Sequence, residues 1–181
     1  MFKDLLAYFI LGTCLLAWPF MLTAAADDHS HDKKRKHAKR GLAAPQNQLY
    51  KDSCGGCHLA YPPALLPSGS WRRIIQGQAS HYGEDLGLEQ AVQSALTRFL
   101  GANAADRSSA KLARKIMKSL GALTPLRITE VPYITHKHEE DDIPRGAFKR
   151  KSIGSLANCG ACHPGAAAGD FDDDAVRIPA Q

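Results

Sequence analysis

Two short stretches carry the reactive side chains of this chain. Residues 54–58 read CGGCH and residues 159–163 read CGACH. Each sets two thiols two residues apart and follows the second with an imidazole. The chain has five cysteines, and all but Cys14 lie in these pentads. An even number of cysteines in an exported chain is first read as disulfides. A C-x-x-C loop is too short to gain much from closure, however. Two C-x-x-C pairs could also make a zinc site. Neither reading explains a histidine after the second cysteine in both copies. Covalent haem attachment does. The two thiols form thioethers with two vinyl groups of the haem edge, and the next residue then lies beneath the iron. The spacing therefore assigns two covalently bound haem c groups. Cys54, Cys57, Cys159 and Cys162 are the attachment residues, and His58 and His163 the proximal ligands. Gly55-Gly56 and Gly160-Ala161 let the backbone pass close to a macrocycle.

Each iron then needs a second axial ligand unless it binds substrate, and methionine or histidine is the usual choice. Of three methionines, Met1 and Met21 lie in the apolar N-terminal segment. Met117 borders the stripe Leu112, Ile116 and Leu120, whose helical spacing gives it a core role. Histidine remains. His29, His31 and His37 lie in a charged stretch, which leaves His81, His136 and His138. His81, in ASHYGEDLGL, is expected to serve one iron. The pair in THKH must supply the other. If that segment is helical, His136 and His138 point about 200° apart; if it is extended, they share a face. Spacing does not choose between them.

The elements that must hold these residues are predominantly helical. QNQLYKDS predicts a short helix leading into Cys54. PPALLPSG cannot be regular helix and is expected to wrap a haem edge. SWRRIIQGQ returns to helix, with Ser70 as its N-cap. GLEQAVQSALTRFLGAN predicts a longer helix with Leu88, Val92, Leu96 and Phe99 on one face and Gly101 as its stop. DRSSAKLARKIMKSLG predicts another, ended by Gly121. TPLRITEVPYITHKHEEDDIPRG, with three prolines, reads mostly as loop. The chain is 7% aromatic, with 15 Gly and 10 Pro, so side chains alone give a modest core that two haems would fill. The expected fold is mostly α: two small c-type haem modules, 45–105 and 106–181, packed together, the second loop-rich and its distal histidine preceding its pentad.

The N-terminus explains the export reading. After Lys3, residues 5–22 are uncharged and apolar, and Ala24-Ala25-Ala26 offers a cleavage site. Residues 1–26 thus read as a signal peptide, with an uncleaved anchor as the alternative. Thr13 precedes Cys14 where a lipoprotein needs a smaller residue. Residues 27–44 read as a disordered polybasic linker. Within it, 27–40 carries six basic and three acidic residues, +3, and 41–181 carries 16 and 14, +2. The tail could attract anionic lipid or an acidic partner. Four haem propionates would bring the body near neutrality, and nothing in the charge pattern suggests nucleic acid.

Beyond the pentads, the blocks CGGCHLAYPPALLP, SWRRIIQG, SHYGEDLGL, RITEVPYITHKHEE and SIGSLANCGACHPGAAAGDFDDDAVRIP occur in an order that resembles the dihaem cytochrome c family over about residues 48–179. The first module also resembles a small class I cytochrome c. The family resemblance implies His81 and His138 as distal ligands. It further implies a periplasmic carrier with two low-potential bis-His haems and no substrate of its own. The partners it implies are a small oxygen-binding c-type cytochrome and a membrane b-type cytochrome. A dihaem peroxidase or reductase with one labile distal histidine is the enzyme alternative. A haem-based sensor is a third reading, and no appended signalling domain supports it.

Overall fold

The computed structural model describes residues 41–139 and 143–180. Residues 1–26, read as a signal peptide, and nearly all of the stretch read as a polybasic linker lie outside them. Among the described residues five α-helices carry the fold: α1 (Gln48–Cys54), α2 (Ser68–Gln76), α3 (Gln90–Ala102), α4 (Lys111–Leu120) and α5 (Pro132–Lys137). Short 3-10 turns join them, and among the described residues there is no strand. No described helix is long and apolar enough to cross a membrane.

Helix α1 starts where the Asn47 side chain accepts the Tyr50 amide at 2.8 Å, satisfying one of the free N–H groups of the first turn. It delivers Cys54 at its last position. Tyr50, 1% exposed, packs edge-on to Trp71 of α2 and against Phe99 of α3. The polar ends of these rings find partners, as buried aromatics require. Tyr50 donates its hydroxyl to the Tyr61 carbonyl at 2.8 Å, and Trp71 Nε1 donates to the Pro63 carbonyl at 2.7 Å. Those two bonds pin the proline-rich turn that follows the first pentad. The core continues through Leu96, Leu100, Ala113, Ile116, Leu120 and Val131, so α4 packs onto the same interior as α1–α3.

Two sequence expectations are corrected. Ser70 is not an N-cap; it lies inside α2, fully buried, and Pro67 precedes the helix. The open end of α2 is capped from afar. Asp106 accepts the Ser68 amide and its hydroxyl, both at 2.7 Å. Gly101 does not stop α3, which runs to Ala102 with Asn103 as C-cap. Most of the described residues of 124–146 lie outside α-helix, as expected, and 132–137 within that stretch is helical. Pro132 occupies the first helical position, where its missing N–H is no loss and its fixed φ suits the helix. Gly121, at φ +55, does end α4 as expected.

The segment entering the fold at residue 41 meets the far end of the described chain. Leu42 N–H donates to the Gly169 carbonyl at 2.8 Å. Gly169 sits at φ +78, and a Cβ there would lie 2.1 Å from the Leu42 carbonyl oxygen. Only glycine fits this crossing.

Candidate haem sites

The first pentad begins in the last turn of α1 and leaves Cys57 and His58 exposed. His58 Nδ1 lies 2.8 Å from the Leu59 carbonyl. A carbonyl can only accept, so Nδ1 carries the proton and Nε2 presents a lone pair outward. The His58 ring stacks on Tyr61, with centroids 5.1 Å apart and planes at 26°. Facing it is His81, at a centroid separation of 6.3 Å and 36° between planes. His81 opens a two-residue turn closed by paired backbone bonds with Glu84, at 2.7 and 3.1 Å. The central residues Tyr82 and Gly83 both have positive φ, as a type I′ turn demands. Burial, then the neighbouring His58 and Arg127, holds the His81 imidazole below its ordinary pKa and so neutral near pH 7.

The second pentad forms a 3-10 turn, Cys159–Ala161, with His163 N–H donating back to the Cys159 carbonyl at 2.8 Å. His163 faces His138 at 6.1 Å, with the rings at 68°. His138 is the C-cap of α5, and its Nδ1 donates to the Ile134 carbonyl one turn back, at 2.7 Å. The helix end thus fixes both the tautomer and the direction of the ring. Phe148 and Phe171 flank the pair, at 6.0 Å from His138 and 5.6 Å from His163. Burial, then His138, lowers the His163 pKa against a smaller opposing effect of Asp173 and Asp170. His136 lies within α5, is exposed, and lines neither of two cavities that His138 lines.

The larger cavity, about 570 Å³, is lined by His58, His81, His138 and His163 together, so the two pairs share one interior space. Leu65, Trp71, Ile74 and Ile134 give it an apolar wall. A second cavity of about 270 Å³, lined by Cys159, Cys162 and His163, lies on the side of the second pair. The four cysteines are free thiols in the polypeptide. Burial raises Cys54 to about 11 and also pushes Cys159 and Cys162 upward. Among the described residues no group of three or more His, Cys, Asp or Glu could hold a bare metal ion.

Facing imidazoles are a different donor set. An imidazole nitrogen binds a first-row metal at about 2 Å and lies about 1.1 Å from its ring centroid, so two rings sharing one ion have centroids roughly 6 Å apart. Both observed pairs meet that spacing. With two apolar cavities and two free thiols on the shoulder of each pair, the residues fit two covalently attached haems.

A family profile described as dihaem cytochrome c matches residues 50–171. The chain belongs to the dihaem cytochrome c family. A diheme cytochrome c from Rhodobacter sphaeroides is 37% identical; the match covers 72% of this chain and all of that one, with a TM-score of 0.64. A diheme cytochrome type c from Shewanella baltica is 34% identical over 75% of this chain and 94% of that one, at a TM-score of 0.59. No curated protein matches the chain. The cofactors of a dihaem cytochrome c are two covalently attached haem c groups, and its role is electron transport.

Some residues of these sites were not singled out from the sequence. Tyr61, stacked on His58, donates its hydroxyl to the Ala157 carbonyl at 2.7 Å, just before the second pentad. Burial raises its pKa to about 12, so it stays a donor. Phe148 and Phe171 were also passed over. Tyr82 and Gly83 were visible as YG after a histidine, a pattern that favours a tight turn.

Proposed function

We propose that this dihaem cytochrome c is an exported electron carrier that passes electrons between redox partners through two low-potential bis-His sites. The observation that carries the reading is the pair of facing imidazoles, His58 with His81 and His163 with His138, at 6.3 and 6.1 Å. Cys54 and Cys57 would hold one haem by thioethers, and Cys159 and Cys162 the other. When bound, each haem supplies a one-electron ferric/ferrous couple. The protein does the rest. His58 and His138 are locked by Nδ1–H donation to a backbone carbonyl, which strengthens Nε2 as a donor. Two imidazole ligands, with no methionine sulfur at the iron, would favour the ferric state and a low potential. Trp71, Ile74 and Ile134 give the space between the sites apolar walls. Tyr61 ties the ring of one pentad to the backbone beside the other.

With an imidazole on each side, neither iron would have a vacancy for a substrate, which favours a carrier over a peroxidase or reductase. The N-terminal segment supports periplasmic export. The six cations between Lys33 and Arg40 suit an acidic partner or an anionic membrane surface. The partner classes we assign are a small oxygen-binding c-type cytochrome and a membrane b-type cytochrome.

The test is spectroscopic. An alkaline pyridine spectrum of purified holoprotein should give two haems per chain. The ferric protein should be wholly low-spin, and carbon monoxide should leave the ferrous spectrum unchanged. Carbon monoxide binding by the wild type would favour an enzyme with a labile distal ligand.

A further inference from the structure

His81 is anchored differently from the other three facing histidines. His58 and His163 are fixed in sequence to their pentads, and the His138 ring is held by its own helix. Among the described residues no side-chain hydrogen bond reaches the His81 ring. What touches it, besides His58, is Tyr82, with centroids 4.6 Å apart. Tyr82 is the one described non-glycine residue at positive φ, +56. A left-handed conformation is unfavourable for a side-chain-bearing residue. Glycine or asparagine would take this place more cheaply, so the tyrosine ring needs a reason to be there.

That reason comes from the other half of the chain. Tyr82 donates its hydroxyl to the Leu126 carbonyl at 2.6 Å. The Arg127 guanidinium stands 3.8 Å from the centre of the Tyr82 ring. Arg127 is itself held: its Nε is 3.7 Å from Glu130 Oε1, and Glu130 Oε2 accepts the amides of Leu126 and Arg127, both at 3.3 Å. A cation over an aromatic face is attracted by the negative face of the ring. Together with the hydroxyl bond, this offsets the strained turn.

We infer that Tyr82 and Arg127 are positioning residues for His81, a latch from residues 126–130 that presses the imidazole toward His58. The inference rests on the reading of His81 as the distal ligand. The latch is open to solvent, Tyr82 being 49% exposed. Whatever displaces Arg127 from that ring would loosen one axial ligand and leave the other site untouched.

The experiment uses the holoprotein and four variants: His81→Ala, Tyr82→Asn, Tyr82→Phe and Arg127→Gln. Asparagine tolerates φ +56, so Tyr82→Asn removes the ring without straining the turn. Each is checked for retained fold by circular dichroism, then read by ferric paramagnetic resonance and ferrous carbon monoxide titration. Tyr82→Asn and Arg127→Gln should give a high-spin signal and carbon monoxide binding at one of the two haems, where the wild type shows neither. Tyr82→Phe keeps the ring and should stay closed. If His81→Ala leaves both sites closed, His81 is not a ligand, and the ligand reading fails together with the latch. If His81→Ala opens a site while Tyr82→Asn and Arg127→Gln behave as wild type, the ligand reading stands and the latch is overturned. Opening by Tyr82→Phe as great as by Tyr82→Asn would also overturn it, since the ring contact would then not be what positions His81.

Discussion

The His58–His81 and His138–His163 pairs have centroid separations within 0.2 Å of each other, from 6.3 and 6.1 Å, but the protein reaches that distance by opposite routes. At the first pair the pentad histidine carries the backbone-locked tautomer, and its partner stands on a strained turn. At the second the partner is locked at a helix end, and among the described residues no hydrogen bond holds the pentad histidine's ring. One locked imidazole per pair is thus the common rule, and the two halves place it on opposite sides. The ring planes differ as well, 36° at the first pair and 68° at the second. Identical attachment motifs therefore need not make equivalent sites. What surrounds the opposing histidine distinguishes them.

The strongest way to break this comparison is to remove each opposing imidazole. His138→Ala and His81→Ala should each convert one haem from low-spin to high-spin, raise its potential, and leave the other low-spin. His136→Ala should change neither. Paramagnetic resonance of the oxidised variants reads all three. The same spectra sharpen the contrast. Rings near perpendicular leave the iron orbitals nearly degenerate, so the signal lost in His138→Ala should be the more anisotropic one. If His136→Ala gives the high-spin signal, the assignment at the second pair is wrong.

Gly169→Ala should come next in size and act on the second side, where Phe171 packs on His163. The left-handed backbone alone costs about 1–2 kcal/mol, and the collision with the Leu42 carbonyl adds to it. A lowered thermal midpoint with unchanged axial spectra at the first pair is the expected outcome.

Asp106→Ala should be smaller and bear on the first side, because it frees the start of α2, whose Trp71 and Ile74 wall the larger cavity. Loss of an N-cap costs about 1 kcal/mol. Partial burial raises the Asp106 pKa, but the two bonds from Ser68 and the nearby Arg107 outweigh it and leave the carboxyl below its ordinary value. Its contribution is thus present above the ordinary aspartate range and disappears as pH falls through the depressed value. Denaturant midpoints of wild type and Asp106→Ala should converge in acid and separate toward neutrality. Curves that stay parallel would refute the cap.

The haem chemistry was legible because it is local. Five consecutive residues define an attachment site, and the helical stripe of Leu112, Ile116 and Leu120 marks α4 without help from elsewhere. Tertiary features were not. The cap of α2 comes from Asp106, 38 residues beyond Ser68, so Ser70 looked the better candidate. Pro132 leaves open in the sequence whether the segment after it is helical or extended; in the structure it takes the first helical position of α5. That helix turns the THKH ambiguity into a geometric difference, with His136 outward and His138 at the cap. Tyr61 and Arg127 gave no signal at all, since their roles depend on partners 96 and 45 residues away, Ala157 and Tyr82.

The Leu42–Gly169 crossing has a consequence for biogenesis. The first residues of the fold lean on a backbone made only after the second pentad has been synthesised. The polypeptide thus cannot close its seam vectorially. A chain that has not yet extended past the second pentad therefore leaves its N-terminal edge without this partner. An intermediate truncated before Gly169 should accept haem at Cys54 and Cys57 yet remain protease-sensitive at its N-terminal edge.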